Sequence, residues 1–326
     1  MVVLMRKRLL GCVLVMVITL GGCQVSSDRF LSFEDTAAVA GYSTDNRLTQ
    51  ANFFANDLAI VPKEEVIGED VKLTAGAVLL VNNSDKEILY ADNIYDKLYP
   101  ASLTKLLTAL IVLRYGEITD SVTISYNASH ITEAGAKVCG YEEGDIISME
   151  ALLNSLLIYS GNDAAIAIAD HIGGSEETFV KKMNEEAVKI GAVHSNFVNS
   201  NGLHDDNQYT TAYDIYLVFH ELLKFDTFRS IISTDTYTAL YTDKNGNEKQ
   251  KIMDATNQYV SGTAEAPAGI VVVGGKTGTT SKAGNCLVLL SKDASDIEYI
   301  SVILNASGSN QLYSQMSHLL SLAKAE

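Results

Sequence analysis

Ser102-Leu103-Thr104-Lys105 sets a hydroxyl and an amine three residues apart, two positions after Pro100. In a helix, positions i and i+3 share a face, so the amine can reach the hydroxyl. A serine hydroxyl is a weak nucleophile until a base takes its proton. Lysine serves as that base only when burial or neighbouring positive charge lowers its pKa. A helix start also offers backbone N–H groups and the positive end of the helix dipole to a developing oxyanion. The chemistry on offer is acyl transfer through a serine ester, with Ser102 as nucleophile and Lys105 as activating base. Alone, the pattern is cheap. Ser321-Leu322-Ala323-Lys324 repeats it on the last expected helix, where a solvated face explains it, and Ser102 with Lys105 reads equally well as a helix cap and a surface lysine.

Two further elements change that balance. Ser160-Gly161-Asn162 falls on a short connection between two expected helices, where a hydroxyl and an amide can both point into a cleft. Ser125-Tyr126-Asn127 shows that this pattern, too, can be a loop and a cap. Lys276-Thr277-Gly278-Thr279 occurs once, directly after a strand and Gly274-Gly275. A strand edge carrying Lys and Thr offers a cation, a hydroxyl and unpaired N–H groups to an extended substrate, and Gly278 permits close backbone approach.

The elements that must position these residues follow from the apolar pattern. Residues 75–82 and 87–90 bracket Asn83-Ser84-Asp85-Lys86 and read as a β-hairpin. A helix is expected over 102–115, with Leu103, Leu106, Leu107, Leu110 and Leu113 on one broad face. Helices follow over 149–158, 163–171, 176–190 (stopping at Gly191) and 210–223. Strands return over 270–276, 285–291 and 298–305, and a helix over about 311–324 closes the chain. Strands, helices, strands and a helix, in that order, predict an α+β fold. An antiparallel sheet flanked by helices holds both ends of the domain, with an inserted all-helical lobe at about 120–235. A cleft between the two is the natural place for a site.

The N-terminus is different in kind. Arg6, Lys7 and Arg8 precede an apolar run over residues 9–20, then Gly21, Gly22 and Cys23. This is the pattern of an export signal, and the run falls short of the roughly 20 residues that span a bilayer. Leu20-Gly21-Gly22-Cys23 resembles the lipobox of bacterial lipoproteins, which implies cleavage before Cys23 and a lipid on its sulfur. The expected organisation is a signal at 1–22, a tether and lead-in segment at 23–70, of which 57–61 would dock first, and one domain over 71–326. The formal charge of −16 becomes about −19 without the signal's three basic residues, a surface that repels nucleic acid and anionic lipid heads. Cys139 and Cys286 are the two thiols left to pair, and a chain of this size needs no staple, so free thiols are favoured.

Taken together and in order, the three motifs are the serine set of β-lactamases and penicillin-binding proteins. The chain resembles the serine D-alanyl-D-alanine carboxypeptidases, the low-molecular-mass penicillin-binding proteins, from about residue 75 to the last helix. Supporting stretches are Tyr99-Pro100-Ala101-Ser102, residues 160–165 (SGNDAA), Phe197-Val198-Asn199 with Gly202-Leu203, and residues 209–214 (YTTAYD). Asn201 departs from the histidine common before that Gly-Leu pair, a change expected to lie away from the chemistry. The resemblance implies a β-lactamase/penicillin-binding transpeptidase-like fold and a role for each matching residue. Ser102 attacks the carbonyl between the terminal D-alanines of a peptidoglycan stem peptide, and Lys105 takes its proton. Ser160 relays a proton to the leaving amine, and Asn162 holds Lys105 and the substrate amide. Lys276 and Thr277 bind the terminal carboxylate, Gly278 keeps the strand close, and the N–H groups of Ser102 and Thr279 form the oxyanion hole. β-Lactams would acylate Ser102. No metal and no organic cofactor is implied, and membrane attachment would come through lipidated Cys23, on the outer face. Longer relatives carry a C-terminal β-rich domain that is not expected here.

Four rivals stand against this reading. A transpeptidase that uses an amine acceptor instead of water is chemically close, and the short chain, with no additional large domain expected, favours the carboxypeptidase. A class A β-lactamase shares the motifs but resembles its kin in a Glu-x-x-Leu-Asn segment, and residues 193–207 (VHSNFVNSNGLHDDN) hold no Glu. A non-catalytic, β-lactam-acylated sensor needs a membrane route that no second apolar span provides. A zinc peptidase needs a His-Glu-x-x-His spacing that His130, His171, His194, His204, His220 and His318 do not supply. Asp163 and Asp214 are expected to support helix starts or lobe packing.

Overall fold

The structure is a computed structural model that describes residues 57–60 and 70–323. The signal at 1–22, Cys23, most of the 23–70 tether, and Lys324 of the second Ser-x-x-Lys copy lie outside the described residues.

Strand β1 (Ala77–Asn82) reads as an unbroken apolar run because both its faces are covered. Ala77, Leu79 and Val81 enter one core; Val78 and Leu80 enter the other. β2 (Glu87–Asp92) returns antiparallel beside it after the expected turn. A 3-10 turn (Ala101–Leu103) then opens α1 (Thr104–Tyr115). The apolar pattern predicts one buried face for this helix. Instead every residue from Thr104 to Val112 is buried, because α1 runs through the middle of the molecule between sheet and lobe. That placement makes Lys105 an interior lysine.

The inserted segment runs through β3 (Ser121–Thr123), α2 (Tyr126–Ser129), β4 (Ile146–Ser148), α3 (Met149–Asn154), a π-helical turn (Ser155–Tyr159), α4 (Asn162–Gly173), α5 (Glu176–Lys189), α6 (Ala212–Leu222), which packs on the main sheet, and α7 (Asp226–Ile232). It is not all helical. β3 and β4 join a hairpin, β5 (Thr236–Thr242) and β6 (Glu248–Asp254), in a four-stranded sheet ordered β3-β4-β5-β6. Three-residue strands are too short to show a period of two. The hairpin was not among the expected elements; at its turn Asp243 accepts the N–H groups of Asn245 and Asn247 and Gly246 takes φ 84°.

β7 (Ile270–Thr280), β8 (Gly284–Asp293), β9 (Glu298–Ala306) and α8 (Ser309–Ser321) complete the chain. The main sheet has the order β2-β1-β9-β8-β7, antiparallel throughout, so first and last strands share one sheet as segregation of the elements predicts. α8 covers one face with Leu312, Met316, Leu319 and Leu320, while α1 and α6 cover the other. β7 lies at the edge, leaving one side open toward the start of α1. It continues four residues beyond the expected end, so the Lys-Thr-Gly-Thr run belongs to the strand itself.

The lead-in residues dock as expected over 57–60. Tyr216 O–H accepts from Ala59 N at 3.0 Å, Tyr213 O–H donates to Ala59 O at 2.8 Å, and Asp57 meets His220 at 2.9 Å. Among the described residues no helix is long and apolar enough to cross a membrane, and both Cys139 and Cys286 are free.

Candidate active site

Three stretches, 58 and 116 residues apart in sequence, converge where α1 starts beside β7. Lys105 Nζ lies 3.1 Å from Ser102 Oγ, the i, i+3 reach expected at a helix start, and donates to Asn162 Oδ1 at 2.7 Å. It also donates to the backbone carbonyl of Asn201. These acceptors occupy the donors of a side chain with no exposed surface. An ammonium gives up its hydration there, and burial lowers the Lys105 pKa to about 7, against opposing pulls from the Asp163 carboxylate and Cys139. The neutral amine that can accept a proton from Ser102 is therefore populated near neutral pH.

Lys276 is equally buried and donates to Ser160 Oγ at 2.8 Å and to Thr277 O at 3.0 Å. Burial, then the charges of Lys105 and Lys137, push its pKa well below the ordinary lysine range. Two ammonium groups cannot both charge cheaply in one dry site. A hydrogen-bonded route thus runs on each side of the cleft, from Lys105 to Ser102 and from Lys276 to Ser160. Thr277 points its hydroxyl at Thr256, with the oxygens 2.6 Å apart, and Thr279 Oγ1 lies 3.3 Å from Asn285 Oδ1.

The backbone is strained where it carries these groups. Ser160 has φ 71° and Ala101 φ 47°, both left-handed and both non-glycine, a conformation costing about 1–3 kcal/mol each. Ser160 follows the π-helical turn, and the two together swing its hydroxyl out of the helix line toward Lys276. At Gly278 a Cβ would lie 3.0 Å from Pro100 O and 3.1 Å from Ser102 N, so glycine is what lets β7 pass close against the N–H of Ser102. Gly202 (φ 87°) makes the same allowance from the other side, where a Cβ would overlap the carbonyl of Ala101.

Several contributors were not legible in the motifs. The Asn201 segment was expected to lie away from the chemistry; instead its carbonyl holds the Lys105 amine, while its side-chain oxygen accepts from Leu203 N at 2.8 Å. That is a main-chain contact, to which residue type gives no clue. Asp163 accepts from Cys139 N at 2.9 Å, Gly140 N at 2.8 Å and Tyr141 N at 3.3 Å, pinning the 139–141 loop beside Asn162. Its duty is loop anchoring as well as helix start. Removing it orphans these donors, so Asp163→Ala is expected to cost about 2–3 kcal/mol. Urea unfolding checks this through the midpoint, with Asp163→Asn losing less. Asp214 accepts from His194 N at 2.9 Å and Ser195 Oγ at 2.6 Å, a packing role as expected. Ser125, in the decoy Ser-x-Asn, caps α2 through Ala128 N.

Comparison with known proteins agrees with this geometry. The profile of the peptidase S11 family, described as D-alanyl-D-alanine carboxypeptidase, matches residues 63–308. The chain belongs to that family. It is 31% identical over 254 residues to the D-alanyl-D-alanine carboxypeptidase DacF of Bacillus subtilis, covering 76% of this chain and 62% of the relative. It is 31% identical over 260 residues to DacC of Escherichia coli, covering 77% and 62%. The chain therefore spans under two thirds of the length of these relatives. Among solved structures it is similar to the Streptomyces K15 DD-transpeptidase, with TM-score 0.70 and 25% identity over 80% of this chain and 98% of that one. Antiparallel sheets flanked by helices are thus the penicillin-binding protein and β-lactamase fold, as the motifs implied.

Proposed function

We propose that the protein is a serine D-alanyl-D-alanine carboxypeptidase that removes the terminal D-alanine from peptidoglycan stem peptides outside the cytoplasm. The observation that carries this reading is the buried Lys105 amine, with its pKa lowered to about 7, within 3.1 Å of Ser102 Oγ at an open strand edge. A peptide extends along β7. Ser102 Oγ attacks the carbonyl between the two D-alanines as Lys105 Nζ accepts the hydroxyl proton, and the N–H groups of Ser102 and Thr279 receive the oxyanion. Such donors are commonly worth about 3 kcal/mol each. Collapse breaks the C–N bond; the proton that Lys105 took from Ser102 is relayed through Ser160, bonded to Lys276, to the leaving amine, so D-alanine departs and Lys105 is neutral again. Asn162 holds Lys105 and the substrate amide. Water then attacks the ester with Lys105 as base, freeing the shortened peptide and restoring Ser102. Lys276 and Thr277 meet the substrate carboxylate, whose negative charge raises the Lys276 pKa on binding.

Release of D-alanine from a diacetyl-Lys-D-Ala-D-Ala peptide tests the reading; no release would sink it. A β-lactamase reading is disfavoured by the 193–207 segment, which has no Glu. Glu176, packed against that segment, has Oε1 occupied by the N–H and hydroxyl of Ser200 at 3.0 and 2.8 Å. Nitrocefin should be hydrolysed far slower than once per second.

Attachment to the outer face of the membrane through a lipid on Cys23 belongs to the same proposal, supported by the lipobox-like Leu20-Gly21-Gly22-Cys23. Cys23→Ser is expected to move the protein from the membrane fraction to the soluble one, with peptide cleavage intact. Unchanged fractionation would count against lipidation.

A further inference from the structure

The cleft between β7 and the lobe holds a cavity of about 350 Å³, onto which Ser102, Ser160, Thr277 and Thr279 open. Among the described residues lining it, Lys137 is the only one with a charged side chain. Lys276, the lysine of the strand motif, is wholly buried beneath it and engaged with Ser160 Oγ and Thr277 O. A chain with 40 acidic and 24 basic residues thus puts no carboxylate on this wall, and one ammonium.

Lys137 is placed there by built contacts. Its carbonyl accepts from Asn162 N at 2.9 Å, tying this loop residue to the start of α4, whose first side chain holds Lys105. Its Nζ lies 4.0 Å from the centroid of the Tyr159 ring, at the end of the π-helical turn that leads into Ser160. A ring face steadies an ammonium without neutralising it. Among the described residues no carboxylate lies within ion-pair distance of Lys137, and Asp254 acts on it only from farther away.

We infer that Lys137 reads the free α-carboxylate at the end of the substrate peptide, so that this loop lysine, and not the strand motif alone, sets the preference for a chain end. The inference rests on the carboxypeptidase reading above. The buried Lys276 holds Ser160 and backs the carboxylate from beneath, while Lys137 supplies the exposed charge that an arriving anion meets. A charge-assisted contact of this kind raises KM when lost and leaves the chemical step largely intact.

The test compares diacetyl-Lys-D-Ala-D-Ala as free acid and as C-terminal amide, with wild type, Lys137→Gln, Lys137→Arg and the remote surface control Lys181→Gln. Expected are a 10- to 100-fold fall in kcat/KM on the acid for Lys137→Gln, mostly in KM, little change on the amide, retention by Lys137→Arg, and no effect of Lys181→Gln. An unchanged acid-to-amide ratio in Lys137→Gln, whether both rates fall together or neither does, overturns the assignment; a loss that follows the side chain of the third residue instead overturns it likewise. Wild type unable to release D-alanine or D-alaninamide overturns the functional reading itself, and this one with it.

Discussion

Ser102→Ala is expected to abolish release of D-alanine, with kcat/KM falling by about ten-thousand-fold or more, since of the cleft hydroxyls Ser102 alone is bonded to Lys105 at the start of α1. The same variant should keep its fold. Ser102 is half-buried, and among the described residues its hydroxyl has one side-chain hydrogen bond, with Lys105 at 3.1 Å. An unchanged thermal melt together with lost turnover separates chemistry from stability. Residual activity above a few per cent would move the nucleophile elsewhere.

Lys105→Ala should be nearly as damaging, by about 100- to 10,000-fold, the usual worth of a positioned base. Arginine should not substitute, because its guanidinium stays protonated in the pH range where the enzyme works. The wild-type pH profile provides the sharper signature. The base must be neutral, so kcat/KM should climb about tenfold per pH unit below about 7 and level off above it. A rising limb near 10, the ordinary lysine value, would contradict the burial argument. Stability follows the same group with a definite sign. Its folded pKa lies below its unfolded one, so between about 7 and 10.5 the unfolded chain binds a proton that the folded chain does not. This group therefore makes stability increase with pH across that window, and Lys276, shifted in the same direction, adds to the slope.

The side chains assigned to the proposed reaction stand out in the sequence because each sits in a short local pattern whose geometry is nearly predetermined. An i, i+3 pair at a helix start brings Lys105 to Ser102, and a strand followed by Gly-Gly and Lys-Thr-Gly announces an edge that something approaches. The central sheet was legible for a related reason. Fully covered strands such as 77–82 leave continuous apolar runs, and their segregation to both ends of the domain implies that they share a sheet. What stayed hidden depends on the fold closing over long separations. The Asn201 carbonyl is a main-chain atom brought to Lys105 across 96 residues. Asp163 acts on the N–H groups of a loop more than 20 residues earlier. Thr256 reaches the Thr277 hydroxyl from the connection after the unpredicted β5–β6 hairpin. Lys137 lies in a polar loop with no periodicity. The second sheet was missed because β3 and β4 are three residues each, a length at which alternation carries no information, and because β5 and β6 are exposed or half-buried strands with one buried residue apiece.

Strain links these levels. Ala101 and Ser160 occupy left-handed backbone on either side of the cleft, and glycine at 202 and 278 clears the space around Ala101. Packing around α1, buried from Thr104 to Val112, supplies the stability that holds those conformations in place.

Intact mass spectrometry after exposure to penicillin tests the central claim most directly. A single stable adduct of one whole penicillin is expected, mapped by peptide digestion to the fragment containing Ser102 and missing from Ser102→Ala. An adduct on another residue, or none on the wild-type protein, would contradict the account.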